Sequence, residues 1–212
     1  MCGRYMITSS FEAMAALFEA EPGELGPEAL RPNVSPTEQV PVVASHDGAR
    51  SIESMRWGFI PQWYKSPTGG PLLINARSEK IAERPAFREA IRTQRCLLPA
   101  NGFYEWQGEK GARIPWVIRP AAGGLIALAG LWREWRGPNG VVPSVAIVTC
   151  PANATLAPIH ERMPVVIQPG DFALWLGELG PGAARLLDPA PEDMLVATEA
   201  DAGTRAILGR RN

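Results

Sequence analysis

The sequence has few of the residues that mark a metal site or a disulfide-stabilised domain. Among its 212 residues there are only three Cys and two His. The cysteines are widely spaced without a Cys-x-x-Cys pair, and neither His has a partner at metal-ligand spacing. The sequence therefore predicts no disulfide framework, no metal and no other cofactor. Cys96 and Cys150 lie in apolar runs, so we expect them to be small core residues.

The chain also lacks long apolar runs and an excess of one charge sign. No run approaches the ~18 residues that a membrane-spanning helix needs, and the start, Met1-Cys2-Gly3-Arg4, contains no apolar leader. These features predict a cytoplasmic protein without membrane contact. The net charge of −1 excludes a uniformly basic surface that binds duplex DNA by charge alone.

The charges are nevertheless unevenly distributed along the chain. Residues 50–95 contain seven Arg and two Lys against four Glu, whereas residues 171–201 contain seven acidic residues and one Arg. Two interpretations are open at this point. Either the folded molecule has one basic face, or the charges cancel as a mosaic in three dimensions.

Glycine and proline are abundant, and they predict many turns and short elements. The chain has 21 Gly and 21 Pro, about a fifth of its residues. Strand-like runs dominate the middle of the sequence, and helical patterns lie at its margins. We therefore predict one α+β domain over residues 1–212, with a curved, mainly antiparallel sheet or barrel-like core and peripheral helices.

Three helices are predicted from local signals. A capping-box pattern at Ser9-Ser10-Phe11-Glu12 predicts a helix that ends near Pro22. Pro85 suits the first turn of a second helix, and residues 171–178 suit a third, short one.

The strands are predicted from apolar runs and the turns between them. Residues 40–45 and 51–59 form a hairpin around the turn His46-Asp47-Gly48. Residues 31–37 contain too much proline for a regular element. Further strands are predicted at residues 96–98, 102–107, 114–119, 125–132, 142–149, 164–168 and 194–198.

Cys2 offers the most distinctive chemistry. Removal of Met1, expected when the next residue is small, would leave Cys2 as an N-terminal 1,2-aminothiol. Its α-amine has a reference pKa of about 7.7–8.0, against about 10.4 for Lys, so it is far more often neutral and can attack an aldehyde. The thiol can then close onto the same carbon to form a thiazolidine ring. The alternative is that Cys2 is only a frayed terminus.

Three other residues could support this chemistry. Glu105 lies in a strand among aromatic residues, where partial desolvation favours the protonated carboxyl and suits a general acid or base; the alternative is a solvated carboxylate on an edge strand. His160 can shuttle protons near neutral pH, or it can be a structural hydrogen-bonding residue. Asn75 follows an apolar run and can orient an oxygen without adding charge, or it can be a helix N-cap.

Six segments of the chain, in the family's order, resemble the SRAP family of abasic-site processing proteins. They are Met1-Cys-Gly-Arg-Tyr5, Arg31-Pro-Asn-Val-Ser-Pro-Thr37, Met55-Arg-Trp-Gly-Phe-Ile-Pro61, Ile74-Asn-Ala-Arg-Ser-Glu79, Leu98-Pro-Ala-Asn-Gly-Phe-Tyr-Glu-Trp106 and Ile159-His-Glu-Arg-Met-Pro164. The resemblance spans about residues 1–168. The last ~40 residues depart from the family's usual ending, so no role is transferred to them.

The resemblance implies a protein that links itself covalently to abasic sites in single-stranded DNA and so shields them during replication and repair. Cys2 would be the covalent nucleophile, and Asn75 would hold the terminus and the sugar. Glu105 would assist Schiff-base formation and ring opening of the sugar. His160 would act as acid and base in ring opening and in reversal of the link.

The resemblance also implies a set of DNA contacts. Arginine and asparagine residues at matching positions would hold the phosphates and the nucleotide, and an aromatic loop would stack on the bases. These residues are Arg4, Asn33, Arg77 and Arg162, and Trp63 and Tyr64 in the loop. We expect a monomer that associates with the nucleoid when it is bound to DNA.

Other functions stay open at the level of sequence. A Schiff base at C1 of the sugar acidifies the adjacent C2 proton, so β-elimination with strand cleavage is a plausible side activity. A thiol-dependent peptidase that exposes Cys2 is one alternative, and a non-covalent single-strand binding module is another.

Overall fold

The computed structural model describes residues 2–23, 30–109 and 111–209. Met1, whose removal the proposed Cys2 chemistry requires, lies outside these ranges, as does Lys110. The strands are β1 (Tyr5–Ile7), β2 (Arg31–Val34), β3 (Gln39–His46), β4 (Ala49–Trp57), β5 (Asn75–Arg77), β6 (Arg95–Ala100), β7 (Gly102–Gln107), β8 (Ile114–Pro120), β9 (Ile126–Gly137), β10 (Gly140–Pro151), β11 (Arg162–Pro164), β12 (Val166–Ile167) and β13 (Leu195–Glu199). The α-helices are α1 (Phe11–Phe18), α2 (Ala90–Thr93), α3 (Phe172–Leu176) and α4 (Ala202–Gly209).

Five strands close into a barrel. β10 pairs with β4 in parallel and with β9 in antiparallel register, and β3 and β6 complete the ring between β4 and β9. Closure leaves no free edge within the ring. The strands β5, β11 and β12 extend this sheet beyond the ring. The predicted α+β class with a mainly antiparallel, barrel-like core is confirmed.

A second, antiparallel sheet has the strand order β13-β8-β7-β1-β2. β7 lies in its centre, and Gly102 at the start of β7 is required for the close approach to β8. Its φ is 148°, and a Cβ placed there would lie 2.3 Å from the carbonyl oxygen of Ile118. Only glycine avoids this clash at that backbone angle.

The apolar faces of the two sheets share one large core. Trp57 of β4 and Tyr5 of β1 join them with an edge-to-face ring contact at 5.1 Å, a geometry that adds to the energy of burial. A smaller cluster lies on the opposite face of the five-stranded sheet, where Met6 and Tyr104 pack beside Leu208 of α4. The core thus holds the start of the chain, with Cys2, against the barrel.

Local signals identified α1 correctly but overestimated its length. Ser10 caps the helix, because its Oγ accepts a hydrogen bond from the Ala13 N–H at 3.3 Å. The helix ends at Phe18 rather than near Pro22, since Glu19 adopts a left-handed φ of 51°. The predicted helix at Pro85 is also shorter: residues 85–89 form turns, and only α2 is regular. The helix predicted at residues 171–178 corresponds to α3.

The prediction that residues 31–37 hold no regular element was wrong. β2 occupies residues 31–34 with Pro32 in its middle. β2 lies at the edge of its sheet and pairs only with β1, so the missing N–H of proline is tolerated there. The predicted hairpin of β3 and β4 is confirmed, with a turn at Asp47 and Gly48 whose φ angles are 52° and 85°.

Candidate active site

Cys2 lies fully buried just before β1, with its main chain held by Asn75. The Asn75 Nδ2 donates a hydrogen bond to the Cys2 carbonyl at 2.9 Å. Asn75 begins β5, which runs parallel to β10 with Asn75 opposite Ile147. The indole N–H of Trp57 donates to the carbonyl of Ile74, the preceding residue, at 3.1 Å. Asn75 is therefore a strand residue, held in place by the pairing with β10 and by the Trp57 bond to the preceding residue. The alternative of a helix N-cap is wrong.

The Asn75 side chain has one further polar atom available. Its Oδ1 is buried and has no hydrogen-bond partner among residues 2–23, 30–109 and 111–209. A buried amide oxygen without a donor is costly unless a ligand or water supplies one. The atom lies on the side chain that holds Cys2, where it could accept from an amine or a sugar hydroxyl.

Glu105 is a buried carboxyl on the central strand β7. It is 4% exposed and shares a strand face with Phe103 of the main core, whereas Tyr104 packs in the smaller cluster on the other face. The alternative of a solvated edge carboxylate is wrong, because β7 is a central strand and Glu105 is buried. Burial raises the pKa of Glu105, while His160 opposes this shift. A carboxyl with a raised pKa keeps its proton to higher pH and is suited to act as a general acid.

His160 faces Glu105, and its ring is held by the backbone of Arg162. His160 Nδ1 lies 2.9 Å from the backbone nitrogen of Arg162 and 3.2 Å from the Arg162 carbonyl oxygen, so Arg162 holds the ring in place. The His160 Nε2 lies 4.0 Å from Glu105 Oε2. A proton can pass between the two groups after a small approach, or through a substrate atom between them.

The Cys2 thiol is electrostatically coupled to this pair. Burial raises its pKa, and the nearby Glu105 carboxylate raises it further. The Sγ lies 3.9 Å from the Arg4 carbonyl, to which it can donate. The thiol is therefore neutral at physiological pH in this environment. Cys96 and Cys150 are buried core residues, as predicted.

An ion pair missed by the sequence analysis supports the His160 loop. The Arg162 guanidinium forms two hydrogen bonds to the Glu79 carboxylate, and its Nη2 also donates to the Thr149 carbonyl at 2.7 Å. Arg162 lowers the pKa of Glu79 to about 2, so the pair stays charged. Glu79 ends the Ile74–Glu79 motif, but its partner is 83 positions away, and only the fold reveals the contact.

Two cavities adjoin these residues. One, of about 480 Å³, is lined by Arg4, Glu105, His160 and Arg113. The other, of about 570 Å³, is lined by Asn75, Arg77, Trp63, Lys80 and Arg84. Lys80, Arg84 and Arg113 were not among the predicted site residues. Lys80 and Arg84 lie in the basic stretch of residues 50–95, which was their only signal, and Arg113 lies outside it.

The structure brings the predicted residues together to different degrees. Cys2, Asn75, Glu105 and His160 surround one region, and Arg4 and Arg77 line its two cavities.

The remaining predicted DNA contacts differ in their accessibility. Trp63 is 58% exposed and borders the larger cavity, and Tyr64 donates its hydroxyl hydrogen to the Pro71 carbonyl at 3.1 Å. Asn33 is buried and donates to the Ile207 carbonyl of α4 at 3.1 Å. Arg162 is engaged with Glu79.

The described ranges hold no group of three or more His, Cys, Asp or Glu side chains arranged to bind a metal ion. Within the same ranges, none of the helices combines the length and the apolar character that crossing a membrane requires.

The folded chain closely matches solved structures. A protein of Bacteroides thetaiotaomicron superposes with a TM-score of 0.86 at 23% identity, covering all of both chains. A phage-related protein of Bordetella bronchiseptica gives a TM-score of 0.76 at 27% identity over 94% of each chain. These matches show that the fold is shared.

Sequence comparisons identify relatives named for abasic sites. The abasic site processing protein YoqW of Bacillus subtilis is 33% identical over 83% of this chain and 80% of its own length. YedK of Escherichia coli, also named an abasic site processing protein, is 30% identical over 83% of this chain and 79% of its own. HMCES of Xenopus tropicalis is 30% identical, and the match covers 68% of this chain and 52% of HMCES.

The family model for the SOS response associated peptidases (SRAP) matches residues 1–202. This match covers nearly the whole chain and includes all six segments on which the resemblance was based. The chain belongs to the SRAP family.

Proposed function

We propose that this protein processes abasic sites in single-stranded DNA by forming a covalent link through Cys2. One observation carries the proposal. The main chain of Cys2 is held by the Asn75 amide at the place where a buried Glu105 faces His160. The names of the relatives supply the class of substrate, because YoqW, YedK and HMCES are all named abasic site processing proteins.

The reaction begins with the α-amine of Cys2, once Met1 has been removed. An abasic sugar in its open form carries an aldehyde at C1, and the neutral amine adds to this carbon. The resulting carbinolamine loses water to give an imine. The buried oxygen of Asn75 is suited to accept a hydrogen bond from the amine and so to direct its lone pair.

Glu105 and His160 supply the proton transfers. Opening of the sugar needs a proton on the ring oxygen and removal of the proton from the C1 hydroxyl. Loss of water from the carbinolamine needs a proton on the departing oxygen. The Glu105 carboxyl, whose pKa is raised by burial, can donate that proton to the departing oxygen. His160 Nε2, 4.0 Å from Glu105 Oε2, can then supply a proton to the Glu105 carboxylate.

The thiol completes the link. Since burial keeps the Cys2 thiol neutral, the amine is the first nucleophile and the thiol acts second. Sulfur then bonds to the imine carbon, and the thiol proton ends on the nitrogen. The product is a five-membered thiazolidine that has lost one water relative to the separate reactants.

The same imine allows two finer activities that belong to the proposal. It acidifies the C2 proton, and a base that removes this proton would start β-elimination and cleave the strand, which is the lyase activity. Self-removal of the residue before Cys2 would account for the word peptidase in the family's description.

The DNA is expected to approach along the two cavities. Arg77 and the exposed Trp63 border the larger one, where a cation and an aromatic face suit a phosphate and an unstacked base. Arg4 borders the smaller one beside Glu105. Asn33 and Arg162 stay in the proposal as contacts, although each already has a protein partner.

Intact mass spectrometry tests the proposal. The purified protein is incubated with a single-stranded oligonucleotide bearing one abasic site. We expect the summed mass of protein and DNA less one water. Cys2→Ala keeps the amine but lacks the thiol, so any adduct should be a reversible imine that survives denaturation only after borohydride reduction. Cys96→Ala, which removes a different buried thiol, is the matched control and should react fully.

Three results would contradict the proposal. A wild-type protein that forms no adduct would refute the covalent link, as would a stable adduct on protein that retains Met1. Equal stable yields from wild type and Cys2→Ala would exclude the thiol. Turnover of peptides without DNA, tolerant of a blocked amine, would favour the peptidase, and tight non-covalent binding alone would favour the binding module.

A further inference from the structure

Four cations form an exposed row on the segment that follows β5. They are Lys80, Arg84, Arg88 and Arg92, at a constant spacing of four residues. The Arg84 N–H donates to the Lys80 carbonyl at 3.1 Å, and the Arg88 N–H to the Arg84 carbonyl at 2.9 Å. In such helical turns residues four apart lie on the same side. We call this row the basic ridge.

Nearby acidic residues do not neutralise the basic ridge. Glu79 is engaged by Arg162, and Glu89 pairs with Arg133 at 3.4 Å. Glu83 and the four cations take part in no ion pair within residues 2–23, 30–109 and 111–209. The local charge is therefore open to an external anion.

The basic ridge is anchored firmly to the core. Ile81, Phe87 and Ala90 of the same segment are buried, and the Phe87 ring packs on Phe59 with a centroid distance of 5.1 Å. The backbone under the cations is thus held in place, while their long side chains reach into solvent. This arrangement suits a polyanion that contacts several charges in succession.

The basic ridge begins at the candidate active site. Lys80 and Arg84 line the same cavity as Asn75, Arg77 and Trp63, and Arg88 and Arg92 continue the row away from it. The four cations are spread over residues 80–92, so a strand bound along the whole row would extend beyond the cavity.

We infer that the basic ridge binds the phosphates of the single strand that flanks the abasic nucleotide, which extends the DNA path beyond the pocket. This inference rests on the proposed function. The uneven charge along the chain thus corresponds to a local basic surface. An acidic protein segment would be the competing partner, but the continuity with the Asn75 cavity favours the nucleic acid.

The test uses unmodified oligothymidylates of 5 and 15 nucleotides, so that binding is measured without covalent chemistry. Fluorescence anisotropy at several salt concentrations gives the slope of log K against log salt for wild type, K80A/R84A and R88A/R92A. Each lost phosphate contact reduces the slope for a single strand by about 0.7. We expect K80A/R84A to lose about 1.4 on both lengths, and R88A/R92A to lose about 1.4 on the 15-mer alone.

The control removes an exposed cation elsewhere. Arg185 lies in the short 3₁₀ helix Ala183–Leu186, next to α3, and Arg185→Ala should keep the wild-type slopes. If both double variants keep the wild-type slope on the 15-mer, the inference is overturned, and that result is the one expected of a ridge that serves an acidic protein.

Failure of the proposed function would give a different result. Wild-type protein that forms no adduct with an abasic 5-mer would refute the covalent link. If the double variants still lost salt dependence on unmodified DNA, the basic ridge would stand as a DNA-binding surface without it.

Discussion

Two glutamates on either side of the His160 loop are held in opposite electrostatic states. The Glu79 side chain is 46% exposed, yet its pKa is about 2 because Arg162 donates to both carboxylate oxygens. Glu105 is almost fully buried, and burial raises its pKa. The first is a permanent charge that holds Arg162, whose backbone N–H orients His160. The second can exchange a proton. The environment of each carboxyl decides which role it can play: a cationic partner for Glu79 and burial for Glu105.

The largest expected effect is a difference in the rate of adduct formation between variants of Glu105 and of Glu79. Glu105→Gln should slow adduct formation by about 10²-fold or more, because the amide cannot transfer a proton. Glu79→Gln should slow it by only about tenfold, through looser positioning of His160. Single-turnover assays with an abasic oligonucleotide measure both. Equal losses would show that the two carboxyls do not differ in function.

The second largest expected effect is a difference in stability between variants of Glu79 and of the adjacent Lys80. Glu79→Ala leaves the buried Arg162 guanidinium without its carboxylate and should cost about 2–3 kcal/mol in the free energy of unfolding. Lys80→Ala removes an exposed cation and should change it by less than about 0.5 kcal/mol. Urea denaturation compares them. A small loss for Glu79→Ala would mean that Arg162 finds other acceptors or water.

The smallest effect is a difference in pH dependence. Because the folded-state pKa of Glu79 is lowered, its stabilising contribution should be complete above the ordinary value of 4.5 and should disappear as the pH falls towards 2. Glu105 has the opposite sign: its raised folded-state pKa costs stability as the pH rises above the ordinary value.

Urea midpoints across pH check both signs. The wild-type protein should be more stable than Glu79→Gln near neutral pH, and this difference in stability should disappear in acid. The stability of Glu105→Gln should increase relative to that of wild type as the pH rises. Parallel curves for both variants would contradict the assignment of opposite states.

Local patterns predicted individual residues better than the contacts between them. The aromatic residues next to Glu105 in the sequence correctly indicated a desolvated carboxyl. The capping pattern predicted the start of α1, because the Ser10 hydroxyl and the Ala13 N–H that it caps are only three residues apart. The proline content of residues 31–37 led to a wrong prediction, because the edge position that makes Pro32 acceptable depends on which strands pair.

The site itself depends on distant contacts that no local pattern contains. Asn75 meets Cys2 across 73 positions and Arg162 meets Glu79 across 83. The candidate residues were therefore identified from their chemistry and family motifs, but their distances and the role of Glu79 required the fold. The four-residue spacing of the basic ridge is visible in the sequence, but only the structure shows that its side chains are exposed.

β10 sets the relative position of residues from two separate parts of the chain, β5 and β11. Opposite its second half lie Asn75 and Arg77 on one side and Arg162 on the other. A deletion of one residue in this half would move both partners by about 3.3 Å and reverse which side chains face inward. Insertions should be tolerated far better in the loop at residues 66–71. Attempts to redesign the pocket should therefore keep the length of β10 unchanged and vary the residues around it.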